Sequence, residues 1–286
     1  MPAPPQLLAY FGHHKCASTW VHNIVDTVSD EAGWRCTYLA TPQMFDGDLA
    51  GWLGKNPCEF VCYANADMRQ VEPLRGTFRG FHMVRDPRDI LASAYFSHKK
   101  THSTEAWPEL IEHRRQLNAV PQDEGLMLEL DFNAEVFAEM ERWDYDQPDV
   151  LELKMETFTT DPLNQWLAVF QHLGIADESH FGKKRAWGYL LKTSLNVLHR
   201  HYGVPSFGAF AQVPVERLLG MVHGHRFATK IGTRTEGQED TSSHYRKGVS
   251  GDWANHFKAE HVAAFKERYG ELLVKLGYED DDDWGL

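Results

Sequence analysis

The sequence predicts an α/β protein, a single domain with a central parallel sheet flanked by helices. Three observations lead there. Short apolar runs recur along the chain, and each is followed by a stretch with helical apolar spacing. The first run ends in a glycine loop that opens a helix. The chain has 286 residues, 42% hydrophobic and 24% charged, which suits one large soluble domain with a substantial core.

The elements follow in order. Leu7 to Phe11 reads as a buried strand stopped by Gly12, and Val21, Ile24, Val25 and Val28 then recur at helical spacing. Phe60 to Tyr63, Phe78 to Val84 and Val150 to Met155 are further strands. After Val84, Asp86 caps a helix whose first residue is Pro87, which has no N–H to leave unpaired there. Asp161-Pro162 repeats that device, and Leu163, Trp166, Leu167, Phe170 and Leu173 form one apolar face stopped by Gly174. Phe265, Tyr269, Leu272 and Leu276 form another, stopped by Gly277. The stretch from His180 to Thr235 has no clean period and is expected to supply helices and loops covering a pocket. The domain spans 1–286, with a core at 7–278 and an acidic tail at 279–286 expected to fray. No internal repeat or low-complexity linker interrupts it.

Composition narrows the function. A formal net charge of -12 argues against general nucleic-acid binding, which needs a basic face. Cys16, Cys36, Cys58 and Cys62 are too few for a disulfide framework, and Cys58 and Cys62 lack a second pair for zinc. Reduced thiols and a cytoplasmic location follow as expectations. The N-terminus lacks the basic and apolar regions of a signal peptide, and no run approaches the roughly 18 apolar residues of a membrane span.

Three segments carry anion-binding chemistry. Gly12-His13-His14-Lys15-Cys16-Ala17-Ser18-Thr19-Trp20 lies between strand and helix, where backbone N–H groups converge on an anion. Ala17 and Ser18 are small enough for close approach, Ser18 and Thr19 add hydroxyls, and Lys15 adds a full charge. Arg85 ends a strand, and Ser93 lies eight residues on, about two helical turns away. An arginine fork and a hydroxyl on one side suit a terminal phosphate. Arg246-Lys247-Gly248 sets two cations before bare backbone, and the segment runs on to Trp253. Taken singly, the second segment could be a helix start with a surface Arg88–Asp89 ion pair, and the third a basic turn. Together they imply a ligand with more than one phosphate-like group. The Walker A order is absent, because the lysine precedes the small residues, and this weakens a kinase reading and a Mg²⁺ site.

At these residues the chain resembles the cytosolic-type sulfotransferases. Their Pro-Lys-x-Gly-Thr-Thr-Trp loop is similar to His14 through Trp20. Their arginine with a serine eight residues on is matched by Arg85 and Ser93, and their Arg-Lys-Gly-x-x-Gly-Asp-Trp motif by Arg246 through Trp253. The resemblance runs from about Leu7 to Tyr278. It implies a P-loop-like fold and binding of 3′-phosphoadenosine 5′-phosphosulfate (PAPS; product PAP), with no metal. By it, the loop residues Lys15, Cys16, Ala17, Ser18 and Thr19 surround the 5′-phosphosulfate. Arg85, Ser93, Arg246, Lys247 and Gly248 hold the 3′-phosphate, and Trp20 and Phe227 flank the adenine. Met155 replaces a family adenine contact and is able to pack on a purine.

The implied reaction moves a sulfuryl group to a hydroxyl or amine of a small-molecule acceptor. Lys15 is the expected catalytic cation. The family's usual base histidine is missing, since Phe60 to Asp67 contains none, and His14 is the substitute candidate beside the carboxylates Asp67, Asp46 and Asp48. A nucleotide-binding pseudoenzyme without a base is the alternative. The histidine pairs His98/His102 and His223/His225 lack a partner at metal-site spacing. Aromatics in the loops (Trp52, Trp107, Trp187, Tyr189, Tyr202, Phe207) point to an apolar or ring-bearing acceptor, and the oligomeric state is open.

Overall fold

The structure, a computed structural model, describes residues 7–105, 107–179, 181–202, 204, 208–226, 229, 240, 247–281 and 283–285. Its strands are β1 (Leu7–Gly12), β2 (Cys36–Leu39), β3 (Phe60–Tyr63), β4 (Phe78–Val84), β5 (Val150–Lys154), β6 (Ala176–Asp177) and β7 (Val213–Pro214). The helices up to Arg142 are α1 (Ser18–Ala32), α2 (Leu49–Lys55), α3 (Met68–Val71), α4 (Pro87–Phe96), α5 (Glu109–Ala119), α6 (Gln122–Phe132) and α7 (Ala134–Arg142). After β5 come α8 (Met155–Thr160), α9 (Pro162–His172), α10 (Lys183–Tyr202), α11 (Val215–Gly224) and α12 (Ala259–Lys275). Two compact units interleave along the chain, one of residues 1–13, 17–83 and 144–226, the other of 14–16, 84–143 and 227–286.

The first unit holds the central parallel sheet in the order β2-β3-β1-β4-β5. Its β1 pairs in parallel with both β3 and β4, Ala9 facing Val61 on one side and Gly80 on the other. The chain leaves β1 toward β3 and β2, then returns to the other side at β4. That reversal is the topological switch point, and ligands of open α/β sheets bind beyond the carboxyl ends of the strands there. Both the loop after Gly12 and Arg85 follow such ends. The core packs Val21, Ile24, Val25 and Val28 of α1 with Trp166, Val169, Phe170 and Leu173 around α9, against the sheet.

The strands expected from the sequence form where they were placed, except that Met155 begins α8 instead of ending β5. β2 was not foreseen, because four residues starting at a cysteine carry too little alternation to be read. On α9, Leu163 is exposed and Val169 takes its place in the buried face. Gly174 supplies the left-handed turn (φ 73°) that lets the chain reverse after α9. Asp161 makes no backbone cap: its carboxylate accepts from the Asn164 amide at 2.8 Å instead. The unread 180–235 region contains α10 and α11, with Tyr189 buried and Trp187 on the surface.

In the second unit, α12 packs on α6 and α7, and the Tyr269 hydroxyl donates to the Leu130 carbonyl at 2.9 Å. Arg88 and Asp89 do not form a surface pair, since both are buried and Arg88 bonds Asp86 (2.7 Å) and Glu279. Within the acidic end, residues 279–281 and 283–285 are described. Glu279 is held by Arg88, and Trp284, 8% exposed, lies with Trp253 against the guanidinium (4.6 and 4.3 Å to the ring centroids). Apolar burial and cation–π attraction outweigh the repulsion of the acidic run. Removing a buried partner leaves an uncompensated charge. Arg88→Ala is therefore expected to cost roughly 3–5 kcal/mol of stability in urea unfolding. A loss below about 1 kcal/mol, the range of exposed pairs, would show that the pairing is solvated.

Candidate functional site

The loop after β1 is built from left-handed backbone. Lys15 (φ 63°) and Ala17 (φ 60°) both have positive φ, so successive N–H groups turn toward one side in the manner of an anion nest. A left-handed non-glycine residue costs about 1–2 kcal/mol. Ala17 is the N-cap of α1 and has no side-chain oxygen to bond the first-turn N–H groups, which leaves them for a ligand. Ser18 is half-buried, its hydroxyl 3.3 Å from the Tyr10 hydroxyl and 3.4 Å from the Ala64 carbonyl. Thr19 is exposed. Trp20 is 9% exposed; its indole N–H donates to the His225 carbonyl (2.8 Å), and Phe158 and Trp166 meet it edge-on.

The second unit gathers parts of all three anion-binding segments. The Arg85 guanidinium donates to the Lys15 carbonyl (3.2 Å) and lies 4.0 Å from Asp89. The buried Asp89 carboxylate accepts the Gly251 N–H (2.7 Å) and the Trp253 N–H (3.0 Å). Burial raises the Asp89 pKa, against the opposing effect of Arg85 and the two N–H donors. Gly251 has φ 75°, a conformation that sends its N–H to Asp89 without a Cβ penalty. Lys247 pairs with the buried Asp252, which also accepts from Asn255 (3.0 Å) and faces His256 (3.1 Å). Gly248 has φ 70°, Ser93 is half-buried on α4, and Cys16 is buried with its thiol directed at the His14 carbonyl. Arg246 and Phe227 lie outside the described residues. The sequence reading missed Asp89 and Asp252, although their place inside Arg-Asp-Pro-Arg-Asp and Gly-Asp-Trp could have marked them as anchors.

His14 begins a buried polar chain. Its Nε2 is 2.9 Å from Nε2 of His98, whose Nδ1 lies 3.0 Å from Glu129. Glu129 also takes His113 Nε2 (2.8 Å) and the Asn133 amide (2.7 Å). Burial lowers the His98 pKa against the pull of Glu129, so this imidazole is neutral. Burial alone would raise Glu129, yet the bonds from His113 and His98 hold it below the ordinary range. The proton order then follows. An ionised Glu129 only accepts, so a neutral His98 donates from Nδ1 and its bare Nε2 accepts from His14 Nε2–H. Trp107 meets His14 edge-on at 5.6 Å and stacks on Phe132. His98, His113 and Glu129 are close enough to hold a cation, but their facing atoms are already committed to one another. The pair His98/His102 thus gains a carboxylate from a distant helix, which spacing could not show. Among the other base candidates, Asp67 caps α3 and pairs with Arg69, Asp48 caps α2, and Asp46 is exposed.

A second chain starts one residue earlier, in the first unit. His13 Nε2 is 2.9 Å from His82 Nε2, and His82 Nδ1 is 2.6 Å from Glu152. Burial, with the His82 charge second, holds His13 well below the usual imidazole range.

No protein-family model matches this sequence, and no curated protein matches it. Solved structures do. One is the mouse sulfotransferase SULT7A1 complexed with PAP, 15% identical, with a TM-score of 0.49 over 95% of this chain and 86% of that one. Another is retinol dehydratase in complex with androsterone and inactive cofactor PAP, 15% identical, with a TM-score of 0.47 over 100% and 84%. Among the described residues, no helix is long and apolar enough to cross a membrane.

Two outcomes are expected. Ala17→Gly removes the left-handed penalty and should stabilise the protein by about 1 kcal/mol in chemical unfolding; a destabilised variant would mean the Ala17 methyl packs favourably. Acidification should destabilise. His13 and His98 have lowered folded pKa values, so their contribution is present above the ordinary imidazole value of about 6.5 and lost as pH falls toward the folded values. Glu129 adds a loss of the same sign at lower pH. Urea midpoints should hold level from about pH 8 to 7 and fall from about pH 6.5 downward; a level profile to about pH 5 would contradict the assignment.

Proposed function

We propose that this protein, as one sulfotransferase domain over residues 7–278, moves a sulfuryl group from PAPS to a hydroxyl or amine of a small-molecule acceptor. The observation that carries the reading is the Arg85–Asp89 junction, which joins the Lys15 loop to the Gly251–Trp253 backbone. It gathers local cations in a chain of net charge -12, a fit for a compact nucleotide with phosphate at both ends.

When bound, PAPS supplies the activated sulfuryl group. Lys15, Ser18 and Thr19 hold its 5′ side beside the uncapped start of α1. Arg85, Ser93, Arg246, Lys247 and Gly248 hold the 3′-phosphate, and Trp20 and Phe227 flank the adenine. Sulfuryl transfer resembles phosphoryl transfer, an in-line displacement through a loose transition state with charge building on the leaving oxygen. Lys15 offsets that charge. His14 takes the acceptor proton, its ring oriented by the contact of its Nε2 with His98. Trp107 gives the base an apolar neighbour, in keeping with an apolar or ring-bearing acceptor.

Calorimetry with PAP and a screen of acceptors with labelled PAPS test the reading. Asp89→Asn should weaken PAP binding. Lys15→Ala should lower turnover roughly 10²–10³-fold, the loss typical of one oxyanion donor. His14→Gln should slow turnover by roughly 10²-fold or more with PAP affinity kept. Absence of PAP binding would overturn the proposal, and equal affinity for PAPS and PAP with no transfer to any acceptor would identify a pseudoenzyme.

A further inference from the structure

The histidine and thiols of the first unit's sheet face form a second chemical centre. In the β2–β3 register Cys36 faces Phe60 and Tyr38 faces Cys62. Cys36 and Cys62 therefore project from the same face of the sheet, two positions apart in register. That face is covered by α1, with both thiols packed among core residues contributed by α1 and the strands. His22, one turn into α1, comes down beside them, its ring 4.7 Å from Tyr38. One ligand atom from each of His22, Cys36 and Cys62 lies within 4.8 Å of the others. His22 Nδ1 is buried without a hydrogen-bond partner, and the imidazole otherwise meets the Cys36 thiol.

We propose that His22, Cys36 and Cys62 bind a soft divalent cation of the zinc class through three protein ligands, leaving the fourth position for solvent or an exogenous ligand. The donor set is one imidazole and two thiols, which exclude hard cations such as Mg²⁺ and Ca²⁺. In a tetrahedral site with Zn–S near 2.3 Å and Zn–N near 2.0 Å, ligand atoms stand roughly 3.5–3.8 Å apart, so loading requires a contraction of at most about 1.3 Å. Cys36 is only half-buried, which gives the ion a way in, while Cys62 is fully enclosed. Binding releases the thiol protons to solvent as both sulfurs become thiolates. Spacing alone hid the site, because its ligands come from α1, β2 and β3 and the sequence offers Cys58 as the nearer partner of Cys62. The ion would tie α1 to the two strands.

Anaerobic titration of the reduced protein with Co²⁺ tests this directly. The expected result is one equivalent bound, with a thiolate-to-cobalt charge-transfer band and the intense visible bands of a tetrahedral site, all displaced by Zn²⁺. His22→Ala and Cys36→Ser, both at partly exposed positions, should each weaken binding by roughly tenfold or more. Cys58→Ser should leave it unchanged. Zn²⁺ should raise the thermal midpoint of the wild type and not of those two ligand variants. The proposal is overturned by Co²⁺ spectra without a charge-transfer band or by wild-type affinity in both ligand variants.

Discussion

The Asp89 carboxylate is the constraint on which the second unit depends. A buried carboxylate must be matched by donors, and here the donors are the Gly251 and Trp253 backbone N–H groups and, at longer range, Arg85. Satisfying one buried charge therefore brings the end of the chain to the start of α4. The same arginine reaches the Lys15 carbonyl and holds the backbone of the left-handed loop. Asp252 does for Lys247 what Asp89 does for Arg85, placing a buried acceptor beside a cation. Two enclosed acids thus organise the cations of an acidic protein, with electrostatics acting over a few ångströms against the field of the whole.

The histidine chain from His14 rests on the same logic with protons in place of salt bridges. Two imidazoles that meet Nε2 to Nε2 need one hydrogen between them, and the charge of Glu129 decides which ring supplies it. The carboxylate is more than a hundred residues from His14 in the sequence, yet it sets the direction of the hydrogen bond that His14 makes with His98. Burial then keeps His98 from taking a second proton and reversing the order.

Much of the fold was legible in the sequence. β1 and β3 are continuous apolar runs, as buried parallel strands must be, β4 is broken only by Arg79 and His82, and Pro87 and Gly174 marked a helix start and stop through their backbone preferences. The left-handed turn at Ala17 was not legible, since alanine carries no sign of it. Neither was the enclosure of Arg88, because the aromatic rings around it lie far along the chain. The lysine and arginine of the candidate site could be named from motifs. The acids that hold them, and the His98–Glu129 pair behind His14, emerge only from contacts between distant segments. Periodicity reports which face is buried, and it does not report which polar group meets which.

The Arg88 enclosure has a consequence for how the protein comes together. Its guanidinium leaves water only when Trp253, Glu279 and Trp284 arrive, about 165 to 196 residues later in the chain. Until then Asp86 and Arg88 are a solvated pair at the mouth of α4, and the second unit has no closed interior on that side. Contacts of such sequence separation are slow to form and are repaid late. During synthesis, the strands and helices of the first unit therefore have all their residues available before the second unit can shut around its arginine.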